Sequence, residues 1–360
     1  MDKKPVYIIA EAGVNHNGSM ETARKLIDVA AEAGADAVKF QTFQAEKLVS
    51  KFSPKADYQI KSTDPKQTQL QMLKNLQLDK SQHKDLAAYC QSLNIAFISS
   101  PFDQESVDLL VNGLNVPCIK IASGEITNAP LLFQAGCTGK RIILSTGMST
   151  LGEVELSLGI LALAYIRPDG PPSLELCRQA YASAEGQSML KEKVILLHCT
   201  TEYPAPLAEV NLYAMDTLKL AFGLEVGFSD HTQGIAVSIA AVARGAVVIE
   251  KHFTLDKKLP GPDHQASLEP DELKAMVKAI RQVELALGSG IKMPSPSESK
   301  NRAMVRKSLV AARTIGKEEL FTEENLAIKR PGTGASPLYY WGLLGKKAAR
   351  DYAADELVEL

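Results

Sequence analysis

Charge of one sign, paired cysteine motifs and long apolar runs are all scarce in this sequence, and each absence excludes a class of protein. Its 360 residues carry 40 basic and 42 acidic side chains, a net charge of −2, so neither nucleic acid nor an anionic membrane surface is expected as a partner. Five scattered cysteines without CxxC spacing argue against a disulfide framework or zinc ribbon and indicate reduced thiols in a cytoplasmic protein. No apolar run approaches about 18 residues, and residues 1–4 lead straight into the first apolar segment, so neither a membrane span nor a signal peptide is predicted.

Two nucleotide-binding motifs are also missing. No GxGxxG follows the first apolar segment, and no GxxxxGK[ST] occurs anywhere, so neither a dinucleotide fold nor a P-loop is predicted. The hydrophobic fraction of 45% is ample for a core, and the length suggests one large domain with a smaller one, or two medium ones.

Short segments rich in Val, Ile, Leu and Ala alternate with longer segments of helical period. Eight of the short segments have the pattern of parallel strands buried on both faces, and they begin at Val6, Asp36, Ile95, Pro117, Arg141, Val194, Leu224 and Ala246. Helices are predicted over Met20–Ala33 and Pro270–Leu287, where Pro270 suits the first turn and Gly288 suits the stop. Repeated strand and helix units predict a (β/α)8 barrel, with a doubly wound open sheet as the competing architecture.

Three segments interrupt or follow this pattern. Residues 44–79 form a long polar segment, and residues 165–193 form an insertion that fits either an active-site lid or an inert addition. Residues 291–304, rich in Ser, Pro and Lys, are predicted to link a barrel of residues 1–290 to a small domain of residues 305–360. Because about 60 residues make only a small core, this domain is expected to dock on the barrel or on a partner subunit.

Charged side chains follow the predicted strands at the end where barrel enzymes place their active sites. Glu11, Lys39, Lys120 and Glu125 are among them. Such side chains are costly to bury without partners, so their convergence on one barrel mouth favours a polar ligand over scattered ion pairs. The two carboxylates are suited to positioning water or a sugar hydroxyl.

Two lysines and three serines of this region predict an anion site. Lys39 and Lys120 supply positive charge, and the hydroxyl groups come from Ser100, Ser123 and Ser229. Ammonium groups and hydroxyls together are suited to a phosphate or a carboxylate.

His231 and His252 follow the seventh and eighth predicted strands at matching points. Neighbouring parallel strands lie about 4.8 Å apart, so the two rings can share one metal ion. Two nitrogen ligands do not make a closed zinc site; they suit an open, partly hydrated site for Mn²⁺ or Mg²⁺. Asp230 or Asp263 is expected to orient a histidine ring without binding the metal itself.

A series of motifs along nearly the whole chain resembles the sialic acid synthase family. These are IIAEAGVNHNG, GADAVKFQTF, IKIASGE, STGM, HCTTEYPAP, GFSDHT, and EKHFTLD with PGPDH, while IKRPGTGASP resembles the antifreeze-like (SAF) domain that ends those proteins. The resemblance implies a (β/α)8 barrel followed by a small β-rich SAF domain, in a homodimer whose swapped tails cap the partner's barrel. It also implies that phosphoenolpyruvate, water and an N-acylated mannosamine-type sugar in its aldehyde form condense to a nine-carbon 2-keto acid, with release of phosphate.

The resemblance further implies roles for individual residues. His231 and His252 would bind a divalent metal, with Mn²⁺ expected and Mg²⁺ or Co²⁺ as alternatives. The residues implied to bind phosphoenolpyruvate are Lys39, Lys120, Ser100, Ser123 and Ser229, with Thr201 at a phosphate-side position that is often Asn. Those implied to face the sugar are Glu11, Gln41, Tyr203 and Asp263. Glu125 is implied to lie near the reacting centre, and Arg330 to reach the sugar's N-acyl group from the tail of the partner chain.

The segment CTTEYPAP departs from many sialic acid synthases and is nearer to bacterial relatives that make legionaminate or pseudaminate. A 2,4-diacetamido-2,4,6-trideoxyhexose is therefore the alternative sugar substrate. Two other functions stay open: a metal-dependent aldolase that uses free pyruvate, and a non-catalytic carbohydrate-binding protein. The presence of paired lysines together with paired histidines argues against the last of these, since binding alone would require neither.

Overall fold

Two compact units, Met1–Gly288 and Ser289–Leu360, make up the chain. The computed structural model describes residues 4–64 and 66–360, without the side chains of Tyr58, Lys61 and Ser62. All five cysteines are free, as their spacing predicts. Within the described residues, no helix has the length and apolarity needed to cross a membrane.

Eight parallel strands form the sheet of the first unit. They are β1 Tyr7–Gly13, β2 Ala37–Thr42, β3 Ala96–Pro101, β4 Cys118–Ile121, β5 Arg141–Ser145, β6 Val194–His198, β7 Glu225–Asp230 and β8 Val248–His252. The hydrogen-bonded order is β3-β2-β1-β8-β7-β6-β5-β4, so β1 pairs with β8, whereas a doubly wound sheet would reverse its strand order. The last two neighbours, β3 and β4, pack side by side without a ladder. The predicted (β/α)8 barrel is confirmed in this near-closed form.

Helices fill the connections between the strands. They are α1 Met20–Ala33, α2 Ala45–Leu48, α3 Asp57–Ser62, α4 Gln69–Leu76, α5 Lys80–Ser92, α6 Gln104–Asp108, α7 Ala129–Cys137, α8 Leu151–Ile166, α9 Leu174–Ala182, α10 Ala184–Lys193, α11 Ala214–Phe222, α12 Ala236–Ala243 and α13 Pro270–Leu287. The predicted bounds of α1 and α13 are confirmed. Ser19 caps the start of α1 by accepting from the Thr22 N–H, and Gly34 ends it in the left-handed conformation.

Alternate residues of each strand face the interior of the barrel. One residue from each of seven strands forms an apolar interior layer, namely Ile9, Ala37, Ile98, Cys118, Ile143, Leu197 and Val248. Strand β7 contributes Gly227 at this level, where a Cβ would lie 2.4 Å from the Val248 carbonyl oxygen. This layer fills the barrel and forms a rigid floor beneath the residues that follow it along each strand.

Residues 44–79 form a small layer of their own at the carboxyl end of β2. They fold into α2, α3 and α4, over a cluster that includes Phe43, Met72 and Leu76. Because this segment follows a strand directly, it lies at the barrel end where active sites are built.

Residues 165–193 lie in a different kind of connection. They follow α8 and precede β6, and most of them form α9 and α10, which pack on α8. Cys177, Ala180 and Leu190 are buried in the main core. A segment between a helix and the next strand belongs to the outer helical layer, so the lid alternative is wrong.

The second unit has its own small core and a two-stranded antiparallel sheet. Its elements are helix α14 Pro296–Val305, strands β9 Ser308–Ala311 and β10 Leu326–Lys329, and helix α15 Tyr340–Leu343. Leu309, Phe321 and Tyr352 are among its buried residues. Helix α14 occupies most of the segment predicted as a linker, because Ser295 caps it and Pro296 fits its first turn.

We predict opposite effects for two glycine substitutions that test the interior layer. Gly227→Ala should lower the free energy of unfolding by about 1–3 kcal/mol, because its Cβ would overpack the interior against Leu197 and Val248. In Gly152→Ala of α8 the new Cβ would meet no atom of the described residues within 4 Å, so stability should be unchanged or rise by up to about 1 kcal/mol. Urea denaturation measures both. Equal stability of the two variants would contradict the interior placement of Gly227.

Candidate active site

A layer of mostly polar side chains lies directly above the apolar floor, two residues further along each strand. Its members, one from each successive strand, are Glu11, Lys39, Ser100, Lys120, Ser145, Cys199, Ser229 and Glu250. All eight are buried. Because every second residue of a strand returns to the same face, a single alternation carries all eight side chains to one level of the barrel mouth.

Glu250 lies between the two buried lysines of this layer. Its carboxylate is 3.4 Å from Lys39 Nζ and 3.5 Å from Lys120 Nζ. It also accepts a hydrogen bond of 2.8 Å from the Ser229 hydroxyl. Lys39 Nζ lies 3.0 Å from Glu11 as well, so two lysines and two carboxyl groups share one buried cluster.

The lysines have further hydroxyl partners. Lys39 Nζ donates to Ser100 Oγ at 3.2 Å, and Lys120 Nζ donates to Ser145 Oγ at 2.8 Å. The predicted meeting of Lys39, Lys120, Ser100 and Ser229 in one place is what the structure shows.

Burial and the lysines act in opposite directions on the two carboxylates. Burial disfavours ionisation of Glu250, but Lys120 and Lys39 outweigh it and hold its pKa at about 2. Burial dominates at Glu11 and raises its pKa to about 8, despite the nearby Lys39. Burial also lowers the pKa of Lys120. Glu250 is thus the one carboxylate that contacts both lysines, and the cluster is suited to accept a further anionic group.

His231 and His252 occupy the next interior level, above Ser229 and Glu250. Their ring centroids are 5.5 Å apart, and the Tyr203 ring lies 4.3 Å from that of His231. His231 Nδ1 donates to the Thr200 carbonyl at 2.5 Å, which leaves the lone pair on Nε2. Burial lowers the pKa of His231 to about 4 and that of His252 well below its usual value, so both rings are neutral at pH 7.

The histidine pair fits an open metal site with two nitrogen ligands. His252 Nδ1 is buried and has no hydrogen-bond partner among the described residues, while His231 offers Nε2. In the part of the chain described, no group of three or more His, Cys, Asp or Glu side chains is placed to hold a metal ion. The remaining ligands of such a site would be water or substrate.

Glu11, Asp263 and His252 converge on Gly13. A Cβ at Gly13 would lie 3.1 Å from Glu11 Oε1, 3.4 Å from Asp263 Oδ2 and 3.5 Å from His252 Cε1, and the residue has a φ of +52°. Asp263 Oδ2 is 3.7 Å from His252 Nδ1, and burial raises the Asp263 pKa to about 6. Of the two aspartates expected to support the histidines, Asp263 is the one that faces a ring.

Ser123, Cys199 and Thr201 surround a second glycine, Gly147. A Cβ there would lie between 2.4 and 2.9 Å from the side-chain oxygen or sulfur of all three. Ser123 Oγ accepts from the Gly147 N–H at 3.1 Å, and Thr201 Oγ1 is buried without a hydrogen-bond partner among the described residues. The predicted residues Ser123 and Thr201 are thus brought together around a backbone that admits no side chain.

Gln41, Glu125 and Arg330 are the remaining predicted site residues. Gln41 is level with Ser100 in the β2–β3 register. Glu125 is half-buried and accepts a 2.6 Å hydrogen bond from Asn128 Nδ2; burial raises its pKa. Arg330 lies in the second unit, is exposed, and donates from Nε to the Val305 carbonyl at 3.0 Å. The contacts of Arg330 are therefore within its own unit, and its implied role stays a prediction.

Glu250 has no role among the sequence-based predictions, yet it makes the most contacts with the two lysines. The signal that finds it is the alternation along β8, since Glu250 stands two residues after Val248 of the apolar floor and two before His252. Asn128 is similarly unpredicted, because its partner Glu125 lies one turn away in a 3₁₀ segment rather than on a strand.

Comparison with known proteins places this arrangement in a family. Residues 26–292 match the NeuB family and residues 306–359 match the SAF domain. The chain is 52% identical over 355 residues to the N,N'-diacetyllegionaminic acid synthase of Campylobacter jejuni, covering 99% of each protein. It is 44% identical over 348 residues to the N,N'-diacetyllegionaminic acid synthase of Legionella pneumophila, covering 97% of this chain and 92% of that one.

A solved structure supports the same assignment. The N-acetylneuraminic acid (sialic acid) synthetase of Leptospira borgpetersenii superposes with a TM-score of 0.67 at 33% identity, covering 83% of this chain and 90% of that one. The chain that carries this polar layer and histidine pair therefore belongs to the NeuB family and ends in a SAF domain.

Proposed function

We propose that this chain condenses phosphoenolpyruvate with the open-chain aldehyde of an N-acylated amino sugar and water, and releases a nine-carbon 2-keto sugar acid and phosphate. The observation that carries the proposal is the buried pair of lysines around Glu250, directly below a pair of neutral histidines. Of the two predicted sugar classes, similarity to two N,N'-diacetyllegionaminic acid synthases favours the 2,4-diacetamido-2,4,6-trideoxyhexose over the mannosamine type.

The lysine cluster supports binding of the enol phosphate. Lys39 and Lys120 are held in place by Ser100, Ser145 and Glu250, so they present fixed charges in a water-poor site. Electrostatic stabilisation of this kind is strongest where donors need not reorganise as charge develops. We place the phosphate here, with Ser123 and the backbone at Gly147 on its other side.

The histidine level supports binding of the aldehyde. His231 and His252 would hold a divalent cation, expected to be Mn²⁺, with Mg²⁺ or Co²⁺ as alternatives. A cation bound there would supply Lewis-acid polarisation of the sugar carbonyl. The bond from His231 Nδ1 to the Thr200 carbonyl fixes the tautomer that directs Nε2 inward. Tyr203, Gln41 and Asp263 would line the sugar side.

The reaction requires proton donors and acceptors as well as charge. Carbon 3 of the enol forms a bond to the aldehyde carbon, water adds to carbon 2, and the bond from carbon 2 to the phosphate oxygen then breaks. The aldehyde oxygen must gain a proton in the first step. Burial raises the pKa of Glu11 to about 8, which favours its protonated form, and the residue lies beside His252. We therefore assign it as the donor of that proton, and Glu125 as the acceptor of the proton that the water loses when it adds to carbon 2.

A swapped homodimer is part of the proposal. Arg330 is exposed and carries a charge that its own unit does not pair with an acid in the described contacts. In the proposed dimer this arginine reaches the N-acyl group of sugar bound in the barrel of the partner chain.

The decisive test of the function is phosphate release from phosphoenolpyruvate with a panel of aldehydes. We expect turnover with Mn²⁺ present, with kcat/KM for a 2,4-diacetamido-2,4,6-trideoxyhexose at least about 10-fold above that for N-acetylmannosamine. Condensation of free pyruvate at a comparable rate would indicate the aldolase instead. Sugar binding by calorimetry without turnover of any aldehyde would indicate a carbohydrate-binding protein.

We predict that removing the metal or one histidine abolishes most activity. Chelation, or His231→Ala, should lower kcat by about 100-fold or more, because polarisation of the carbonyl is lost. Added Mn²⁺ should restore the chelated wild type only. His198→Gln is the matched control, because that histidine bonds the Val210 carbonyl and does not face the pair. Full activity of chelated enzyme would contradict the metal role.

We predict that Glu250→Gln shifts the pH profile as well as the rate. Glu250 raises the pKa of Lys120 against the effect of burial, so its neutralisation should lower that pKa. The alkaline limb of kcat/KM for phosphoenolpyruvate should therefore move to lower pH, with a loss of about 100-fold at the optimum. Glu105→Gln, which alters an exposed pair with Lys47, is the control. An unmoved alkaline limb in Glu250→Gln would contradict the proposed coupling.

A further inference from the structure

Asp230 and Lys251 form an ion pair on the outward face of the barrel, behind the two histidines. Alternation along β7 places Ser229 and His231 inside and Asp230 outside; along β8 it places Glu250 and His252 inside and Lys251 outside. Asp230 and Lys251 are paired in the β7–β8 register. Neither side chain is exposed to solvent, and Asp230 Oδ2 is 3.2 Å from Lys251 Nζ.

Both members of this pair bond to Thr232, the residue that follows His231. Asp230 Oδ1 accepts from the Thr232 N–H at 2.8 Å and from the Thr232 hydroxyl at 2.7 Å. Asp230 Oδ2 accepts from the Ser238 hydroxyl of α12 at 2.6 Å, and Lys251 Nζ donates to the Thr232 carbonyl. The backbone on both sides of His231 is therefore fixed, and the residue before His252 is tied to it.

Stability alone does not explain a pair buried this deeply. Apolar residues of similar volume often stabilise a protein as much as a buried ion pair or more, because desolvation of the two charges offsets their attraction. An apolar pair, however, could not hold the Thr232 backbone N–H and carbonyl at the same time. The distinctive effect of the ion pair is on geometry, at the two residues next to the proposed metal ligands.

We propose that Asp230 and Lys251 are positioning residues, which set the separation of the two imidazoles and thereby the affinity of the site for a divalent cation. The inference rests on the proposed function through the metal role of His231 and His252. It differs from the expectation that an aspartate supports a histidine ring directly, because the contacts of Asp230 among the described residues are with Lys251, Thr232 and Ser238 rather than with a ring.

The test measures Mn²⁺ binding to the full chain without substrate, by calorimetry, together with the thermal midpoint. Lys251→Met should lower the midpoint and weaken Mn²⁺ binding. The double variant Asp230→Leu with Lys251→Met should recover part of the midpoint lost in Lys251→Met, because no unpaired charge stays buried, while its Kd for Mn²⁺ stays about 10–100-fold above that of wild type. Loss of stability and loss of affinity would then be separated. Thr232→Val, which keeps the backbone groups and removes one hydroxyl bond, should weaken binding by a smaller factor.

Arg281→Met is the matched control. Arg281 bridges Asp36 and Glu284 and donates to the Val6 carbonyl at the opposite, amino-terminal end of the strands. It should lower the midpoint and leave the Kd for Mn²⁺ within about twofold.

Three results would overturn the inference. They are a double variant that binds Mn²⁺ as tightly as wild type, an equal loss of affinity in Arg281→Met, and an unchanged Kd in Thr232→Val if the other variants fail to fold. Wild type that releases phosphate and binds Mn²⁺, with variants that bind it normally, would refute only the positioning role. Wild type that binds no Mn²⁺ would refute the metal part of the proposed function as well.

Discussion

The contact of Glu250 with both Lys39 and Lys120 is the interaction on which the site depends. Two ammonium groups at one level of a barrel would repel each other, and burial would drive protons off them. An ionised carboxylate between them makes their joint burial tolerable. Glu250 is a single carboxylate shared by two lysines, and burial raises the pKa of Glu11, so the cluster is suited to a further anionic group.

The alternation of the strands gives this interaction its place. An apolar level containing Ile9 and Val248 fills the barrel, and the next residue of the same face on each strand reaches the polar level. β7 contributes Gly227 to this apolar level because the space beside Val248 admits no side chain. Gly13 and Gly147 have an equivalent role two residues beyond the polar level, where polar atoms approach the backbone so closely that a Cβ would displace them. An apolar side chain of the floor and a polar side chain of the site can therefore lie only two residues apart on the same strand.

Much of this could be predicted from the sequence, because the strongest signals are local. Apolar runs define the strands, and Ser19 with Gly34 marks α1 within a single residue. His231 and His252 are found by their matching places after successive strands. Glu250 could not be singled out in the same way: it stands in the middle of a strand, and its importance appears only when residues from β2, β4 and β7 are brought beside it.

Other differences between the sequence-based predictions and the structure have equally specific causes. The composition of residues 291–304 suggests a linker, yet Ser295 and Pro296 are also ideal residues for the start of a helix, and helix α14 begins there. Length alone cannot distinguish a lid from an outer helical layer at residues 165–193; their order after α8 does. Asp230 illustrates the remaining limit. Its neighbour in sequence is a proposed metal ligand, but strand alternation turns the two side chains to opposite faces. The inward-facing side chains of β7 and β8 are thus free to bind a ligand, because the outward-facing Asp230 and Lys251 make the bonds that fix the two strand ends.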